Sequence, residues 1–262
     1  MESCEERILD LGEFRAAFST RSDGNMSTVQ GFKENQLAFF DRRGIDRHRV
    51  RILQPWHSPN AAIISGNTGD QLQLLKIAPI IDTDLHLYYD GYDALLTFNQ
   101  SLVLGVISAD CVPVLFWEQK SGLFGVAHVG LLGILNRMLT HVASILEQKS
   151  VSLGRVNYLL GPGLRGRHYD LNVSGLWTAI LPQVKTRAPW VFDRCCSQNG
   201  KLLFDMHDAI VSELRAYGST ADLIQTCDIS TADAESPFYS HYAWKHYGRE
   251  RGNFLSLLYV RD

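Results

Sequence analysis

The stretch Leu102-Val-Leu-Gly-Val-Ile-Ser-Ala-Asp110-Cys111-Val-Pro-Val-Leu-Phe-Trp117, followed after a polar turn by Leu123-Phe-Gly-Val-Ala-His128-Val-Gly130, decides how this chain folds. Leu102 to Ile107, Val112 to Trp117 and Leu123 to Ala127 are short runs of branched and aromatic residues, the pattern of strands buried on both faces. Glu118 to Gly122 reads as the turn of a hairpin. Three polar residues interrupt or end these runs: Asp110, Cys111 and His128. A carboxylate beside apolar strands needs a partner or a cavity. A regular strand would send Asp110 and Cys111 to opposite faces, but Pro113 points to an irregular segment in which both reach one pocket.

Outward from this stretch, Phe18 to Arg21 reads as a short strand entering a polar turn, and Thr28 to Arg43 as a helix stopped by Gly44. Val50 to Leu53, Ala61 to Ser65 and Tyr92 to Phe98 read as strands, with Gly66 to Asp70 a loop. At Leu131 the period changes: Ile134, Leu135, Met138, Leu139, Val142, Ile145 and Leu146 fall on one helical face. Further on come strands at Val156 to Leu160, Lys201 to Phe204, Leu223 to Thr226 and Phe254 to Val260, and an amphipathic helix at Met206 to Tyr217. Strands with interspersed helices predict an α+β fold of layered mixed β-sheets flanked by helices. No linker, charge block or internal repeat divides the chain, so a single domain over residues 1–262 is expected.

Composition narrows the function. A net charge of −3 gives no electrostatic case for nucleic acid or an anionic membrane surface. No stretch of about 18 apolar residues marks a membrane span, and the acidic start Met-Glu-Ser-Cys-Glu-Glu-Arg is unlike a signal peptide. The five cysteines, Cys4, Cys111, Cys195, Cys196 and Cys227, show no disulfide framework; Cys195 and Cys196 are adjacent, a poor geometry for a mutual bridge. Reduced thiols in the cytoplasm are expected.

Cys111, His128 and His57, in Leu53-Gln-Pro-Trp-His57, are the candidates for chemistry. Thiolate and imidazole are ligands that zinc prefers, and three of them leave one tetrahedral position open. Read singly, each residue also has a bland explanation: a buried cysteine, a core or capping histidine, an exposed loop histidine. A metal-free alternative makes Cys111 a nucleophile with His128 as its base. His141, on the edge of the helical stripe, is expected to be packed, and Cys195 and Cys196 to be structural or exposed. None of the nine histidines forms the close His-x-His pairs of copper laccases, so copper is disfavoured.

Several segments resemble the YfiH-like, or laccase-domain, family almost throughout the chain. Phe18-Ser-Thr-Arg21 is similar to the family's Thr-Thr-Arg segment, Leu53-Gln-Pro-Trp-His57 to its Gln-Val-His-Gly, and Ala109-Asp-Cys111-Val-Pro-Val to its Ala-Asp-Cys-Leu-Pro-Val. Ala127-His128-Val-Gly130-Leu-Leu-Gly133 is similar to Ala-His-Ala-Gly-Trp-Arg-Gly. Gly161-Pro162 with Tyr169-Asp170-Leu171, and Thr226-Cys227 with Phe238-Tyr239-Ser240, match later elements. The resemblance implies a YfiH-like fold, one zinc ion on His57, Cys111 and His128, and phosphorolysis of purine nucleosides (adenosine, inosine, methylthioadenosine) with an adenosine deaminase activity. It makes Cys111, His128 and Asp110 the catalytic candidates, Asp110 as proton carrier, and Arg21 the candidate contact for the substrate anion. The implied partners are a purine nucleoside and phosphate.

Departures are concentrated at arginines. The family's Trp-Arg is Leu131-Leu132, its Asn-Arg is Asn35-Gln36, its Tyr-Arg-Arg is His241-Tyr242-Ala243 and its late Gly-Arg is Gly252-Asn253. Arginine is the side chain best suited to bidentate phosphate contact, so their loss leaves open a third reading, a ligand-binding member without turnover.

Overall fold

The computed structural model describes residues 8–27, 33–66, 71–81 and 91–261, which build two stacked sheets between helices. The first sheet runs in the order β1 (Ile8–Leu11), β2 (Phe14–Phe18), β14 (Phe254–Val260), β7 (Val103–Ser108), β3 (Val50–Leu53). Its pairs are antiparallel except that β3 lies parallel to β7. The second runs β13 (Ile224–Thr226), β10 (Asn157–Leu160), β8 (Val112–Glu118), β9 (Leu123–Val129), β6 (Ala94–Thr97), β4 (Ala61–Ser65), β5 (Gln71–Leu75). A small hairpin, β11 (Cys195–Gln198) and β12 (Lys201–Phe204), stands apart.

Burial explains why β7, β8 and β9 read as unbroken apolar runs: every residue in them is buried. In β8, Leu115 and Trp117 join Phe14, Phe18 and Val106 between the sheets, while Val112, Val114 and Phe116 face the helices on the far side. Each such side chain contributes about 1.5–3 kcal/mol through removal from water. The helical layer on the second sheet comprises α2 (Leu131–Leu135), α3 (Met138–Gln148), α4 (Gly175–Arg187) and α5 (Met206–Ala216). On the outer face of the first sheet, α1 (Lys33–Asp41) packs Phe39 and Phe40 against Val103, Leu255 and Leu257. The layered α+β architecture expected from the sequence is the one observed. Among the described residues, no helix is long and apolar enough to cross a membrane.

Several local expectations need correction. The strand expected over Phe18 to Arg21 is instead the end of β2, which stops at Phe18, and Arg21–Asp23 is a 3-10 turn, because Asp23 accepts hydrogen bonds from the Thr20 backbone N–H and hydroxyl and folds the chain back. The helix expected from Leu131 is two helices. Asn136 bonds both the N–H and the carbonyl of Ile81, and Arg137 turns left-handed at φ 57°, so the chain bends there. Of the helix expected from Thr28, Lys33–Asp41 is observed and 28–32 lie outside the described residues, as do 67–70 of the expected loop. Sequence patterning missed α4, whose interior Pro182 obscures a helix capped by the Ser174 hydroxyl, and α6 (His241–Tyr247), a short aromatic helix capped by Ser240.

Candidate metal centre

The chain leaves the first sheet at the end of β7 and enters the second at the start of β8, so Cys111 sits on the step between the two sheets. Because β3 is parallel to β7, it ends at the same edge and delivers the loop bearing His57. Because β9 is antiparallel to β8, its end returns beside the start of β8, where His128 pairs with Pro113. Three residues distant in sequence thereby meet: the ligand atoms of His57, Cys111 and His128 all lie within 4.8 Å of one another. The imidazole rings are edge to face, with centroids 5.0 Å apart.

A buried carboxylate that sequence patterning did not single out organises both histidines. Asp93, with a fully buried side chain, accepts hydrogen bonds from the backbone N–H groups of Trp56, His57 and Ser58 at 2.7–3.1 Å, and bonds His128 Nδ1 at 2.9 Å. These contacts hold His57 in a left-handed backbone conformation, φ 58°, a region that non-glycine residues occupy at a cost. With Nδ1 on Asp93, the remaining ring nitrogen of His128 serves Cys111. The signal was present: Asp93 is the one acidic residue in the run Tyr92 to Phe98.

The irregularity expected at Pro113 lies instead at Asp110, whose φ is 94°, while Pro113 is within β8. This turn brings Asp110 and Cys111 to the same cavity. The Asp110 carboxylate is caged: Oδ1 accepts from the hydroxyls of Thr231 and Ser240, each at 2.6 Å, and Oδ2 from the Tyr242 backbone N–H at 2.6 Å. Burial pushes its carboxyl up despite these donors. Gly130, at the head of α2, gives the thiol room, since a Cβ there would come within 2.5 Å of Cys111 Sγ.

Burial alone would raise the Cys111 thiol and depress His128. For the thiol, the charge and hydrogen bond of His128, followed by those of His57, outweigh burial and bring it down. For His128, the charge of Cys111 and the hydrogen bond to Asp93 push it up. A thiolate facing two imidazoles, one of them oriented by a carboxylate, is the donor chemistry of a zinc-type site. These residues fit a metal ion.

The cluster forms part of the lining of a cavity of about 520 Å³. Leu131, Leu132, Val173 and Leu176 supply an apolar wall, and His241, Tyr242, Lys245 and His246 of α6 line it as well. Tyr169 and Asp170, in a segment matched by sequence, also line it. Arg21 does not line it: this exposed residue donates from Nη2 to the Ser236 carbonyl at 2.9 Å. His141 is packed as expected, with Nδ1 on the Pro59 carbonyl. Cys111, Cys195 and Cys196 form no disulfide among the described residues, and Cys4 lies outside them.

The chain is similar to several known proteins. A purine nucleoside phosphorylase of Corynebacterium glutamicum is 32% identical over 205 residues, covering 78% of this chain and 74% of the relative. A purine nucleoside phosphorylase of Mycobacterium tuberculosis is 24% identical over 223 residues, covering 84% and 81%. Adenosine deaminase RL5, from an unknown prokaryotic organism, is 32% identical over 121 residues, covering 46% and 43%. The crystal structure of the Bacillus licheniformis hypothetical protein YfiH superposes with a TM-score of 0.74 at 15% identity, covering 98% of this chain and 100% of that one. Residues 17–261 match the family model described as multi-copper polyphenol oxidoreductase laccase. With that match spanning both sheets and the step between them, the chain belongs to this laccase-like, YfiH-type family.

Proposed function

We propose that this protein is a zinc-dependent purine nucleoside phosphorylase with an accompanying adenosine deaminase activity, acting in the cytoplasm on adenosine, inosine and methylthioadenosine-class nucleosides. The observation that carries the reading is the convergence of His57, Cys111 and His128 on one point of a cavity with an apolar wall. Relatives named purine nucleoside phosphorylase and adenosine deaminase support the substrate class. A family model reaching from residue 17 to residue 261 supports one domain. Among the described residues there is one group able to hold a metal, which favours a single zinc over a set of coppers.

Zinc held by His57, Cys111 and His128 would supply a Lewis acid there. Asp93 fixes the ring of His128, and Cys111 contributes a thiolate, which as a ligand is not a free nucleophile. Leu131, Leu132, Val173 and Leu176 offer a flat base a dry surface. Asp110 holds the turn that presents Cys111, and its Oδ2, which accepts from the Tyr242 N–H alone, is the atom we assign to proton transfer in deamination.

Cys111, His128 and Asp93 also have the form of nucleophile, base and orienting acid, the arrangement of a metal-free hydrolase. His57, whose ligand atom lies within 4.8 Å of the same sulfur, favours the metal. Purified protein incubated with adenosine, with and without phosphate, tests the proposal. Adenine appearing only with phosphate is expected, with inosine from deamination. No product under either condition overturns it and leaves a ligand-binding member.

A further inference from the structure

Among the described residues the cavity is lined by two carboxylates, Asp110 and Asp170; Asp110 accepts from three donors, and Asp170 from the backbone N–H groups of Asn172 and Leu202. Among the described residues that line it, Lys245 is the one permanent cation; it is exposed on α6 and makes no ion pair with any of them. The neighbouring arginines are engaged elsewhere. Arg165 pairs with Asp205 and Asp228, Arg167 with Asp233, Arg249 bonds the carbonyls of Thr231, Asp233 and Ala234, and Arg251 lies over the Trp244 ring. None of the four lines the cavity.

His241 and Lys245 are four residues apart on α6 and so share a helical face. His246 follows, and all three line the cavity. Aromatic neighbours set the two imidazoles: His241 lies 5.1 Å from the Trp244 ring, and His246 lies 4.3 Å from the Tyr242 ring. Asn253 adds an amide to the lining. The lining thus combines apolar side chains with a short helix carrying an ammonium and two imidazoles.

We propose that a phosphate oxyanion entering this cavity is held by α6, through Lys245 flanked by His241 and His246, in place of the arginines this chain lacks. The assignment rests on the phosphorylase reading for its purpose but not for its test. Lysine acts on phosphate as a point charge rather than as a bidentate fork, so the helix supplies charge and its imidazoles supply direction. Exposure of Lys245 at the rim makes the interaction sensitive to salt.

Titrating the as-purified protein with inorganic phosphate and, separately, with adenosine monophosphate, by calorimetry or phosphorus NMR, decides the matter. Lys245→Gln is expected to weaken binding roughly tenfold or more, the scale of a lost charged hydrogen bond, and Lys245→Arg to retain it. Loss confined to the nucleotide assigns the same oxyanion site to a nucleotide phosphate rather than to free phosphate. Unchanged binding in Lys245→Gln, or no binding of either ligand to the wild type, overturns the proposal. Lys245-dependent binding without nucleoside turnover sinks the phosphorylase reading alone. Turnover with an unchanged phosphate KM in Lys245→Gln sinks this one alone.

Discussion

Asp93 carries more of the centre than any of the candidate ligands. A carboxylate with no exposure is tolerated only when its oxygens are satisfied, and here the donors are the loop that holds His57 and the ring of His128. Asp93→Asn keeps the size of the side chain but removes the charge that orients the imidazole. Loss of such an orienting partner lowers metal affinity by about 10–100-fold. Competition with a chelator should show that loss in a variant that remains folded; wild-type affinity would mean that Asp93 is not what orients His128. His57, Cys111 and His128 were legible in the sequence because each breaks an apolar run or follows one. Asp93 also breaks a run, yet nothing local distinguishes a carboxylate that organises a site from one that caps a strand. The anion contact was less legible still: Arg21 matched a motif, but its guanidinium turns to Ser236, while Lys245 lies on a helix whose short aromatic sequence has no clear period.

At the scale of elements, α5 is tied to the end of β10 by His207, whose Nε2 donates to the Gly161 carbonyl at 2.9 Å. Burial first, and then the charge of Arg165, push this imidazole down to about 4. Above an ordinary histidine pKa of about 6.5, folded and unfolded chains are both neutral there, and His207 adds no pH dependence. Below it, the unfolded chain takes up a proton that the folded one refuses, so stability falls as the pH drops towards 4. By pH 5 the loss from this one group is about 2 kcal/mol. Denaturant unfolding at pH 7 and pH 5 should show a smaller acid loss in His207→Gln than in the wild type; equal losses would contradict the assignment. The elements read best from sequence were those with a sustained pattern, such as β7, β8, β9 and α5. Those read worst were set by single side-chain contacts: Asn136 on the distant Ile81 divides α2 from α3, and Asp23 on the nearby Thr20 turns the chain after β2. Periodicity carries no trace of such contacts.

Across the whole molecule, the two sheets matter because the chain steps between them at one edge. β3 and β7 end there in the first sheet, and β8 begins and β9 ends there in the second. The three candidate ligands, the Asp93 hub and the Asp110 cage are consequences of that crossing, and α6 closes over it through the bond from Tyr242 to Asp110. The layered α+β class was legible because it follows from runs of buried strands and amphipathic helices. Which strands share a sheet was not, since β7 and β8 are neighbours in sequence yet belong to different layers. The most direct test is the metal content of freshly purified protein and of its Cys111→Ala variant. About one zinc per wild-type chain, lost in the variant, is the predicted result. A wild-type protein without bound divalent metal, whose Cys111 is freely alkylated in the folded state, would contradict it.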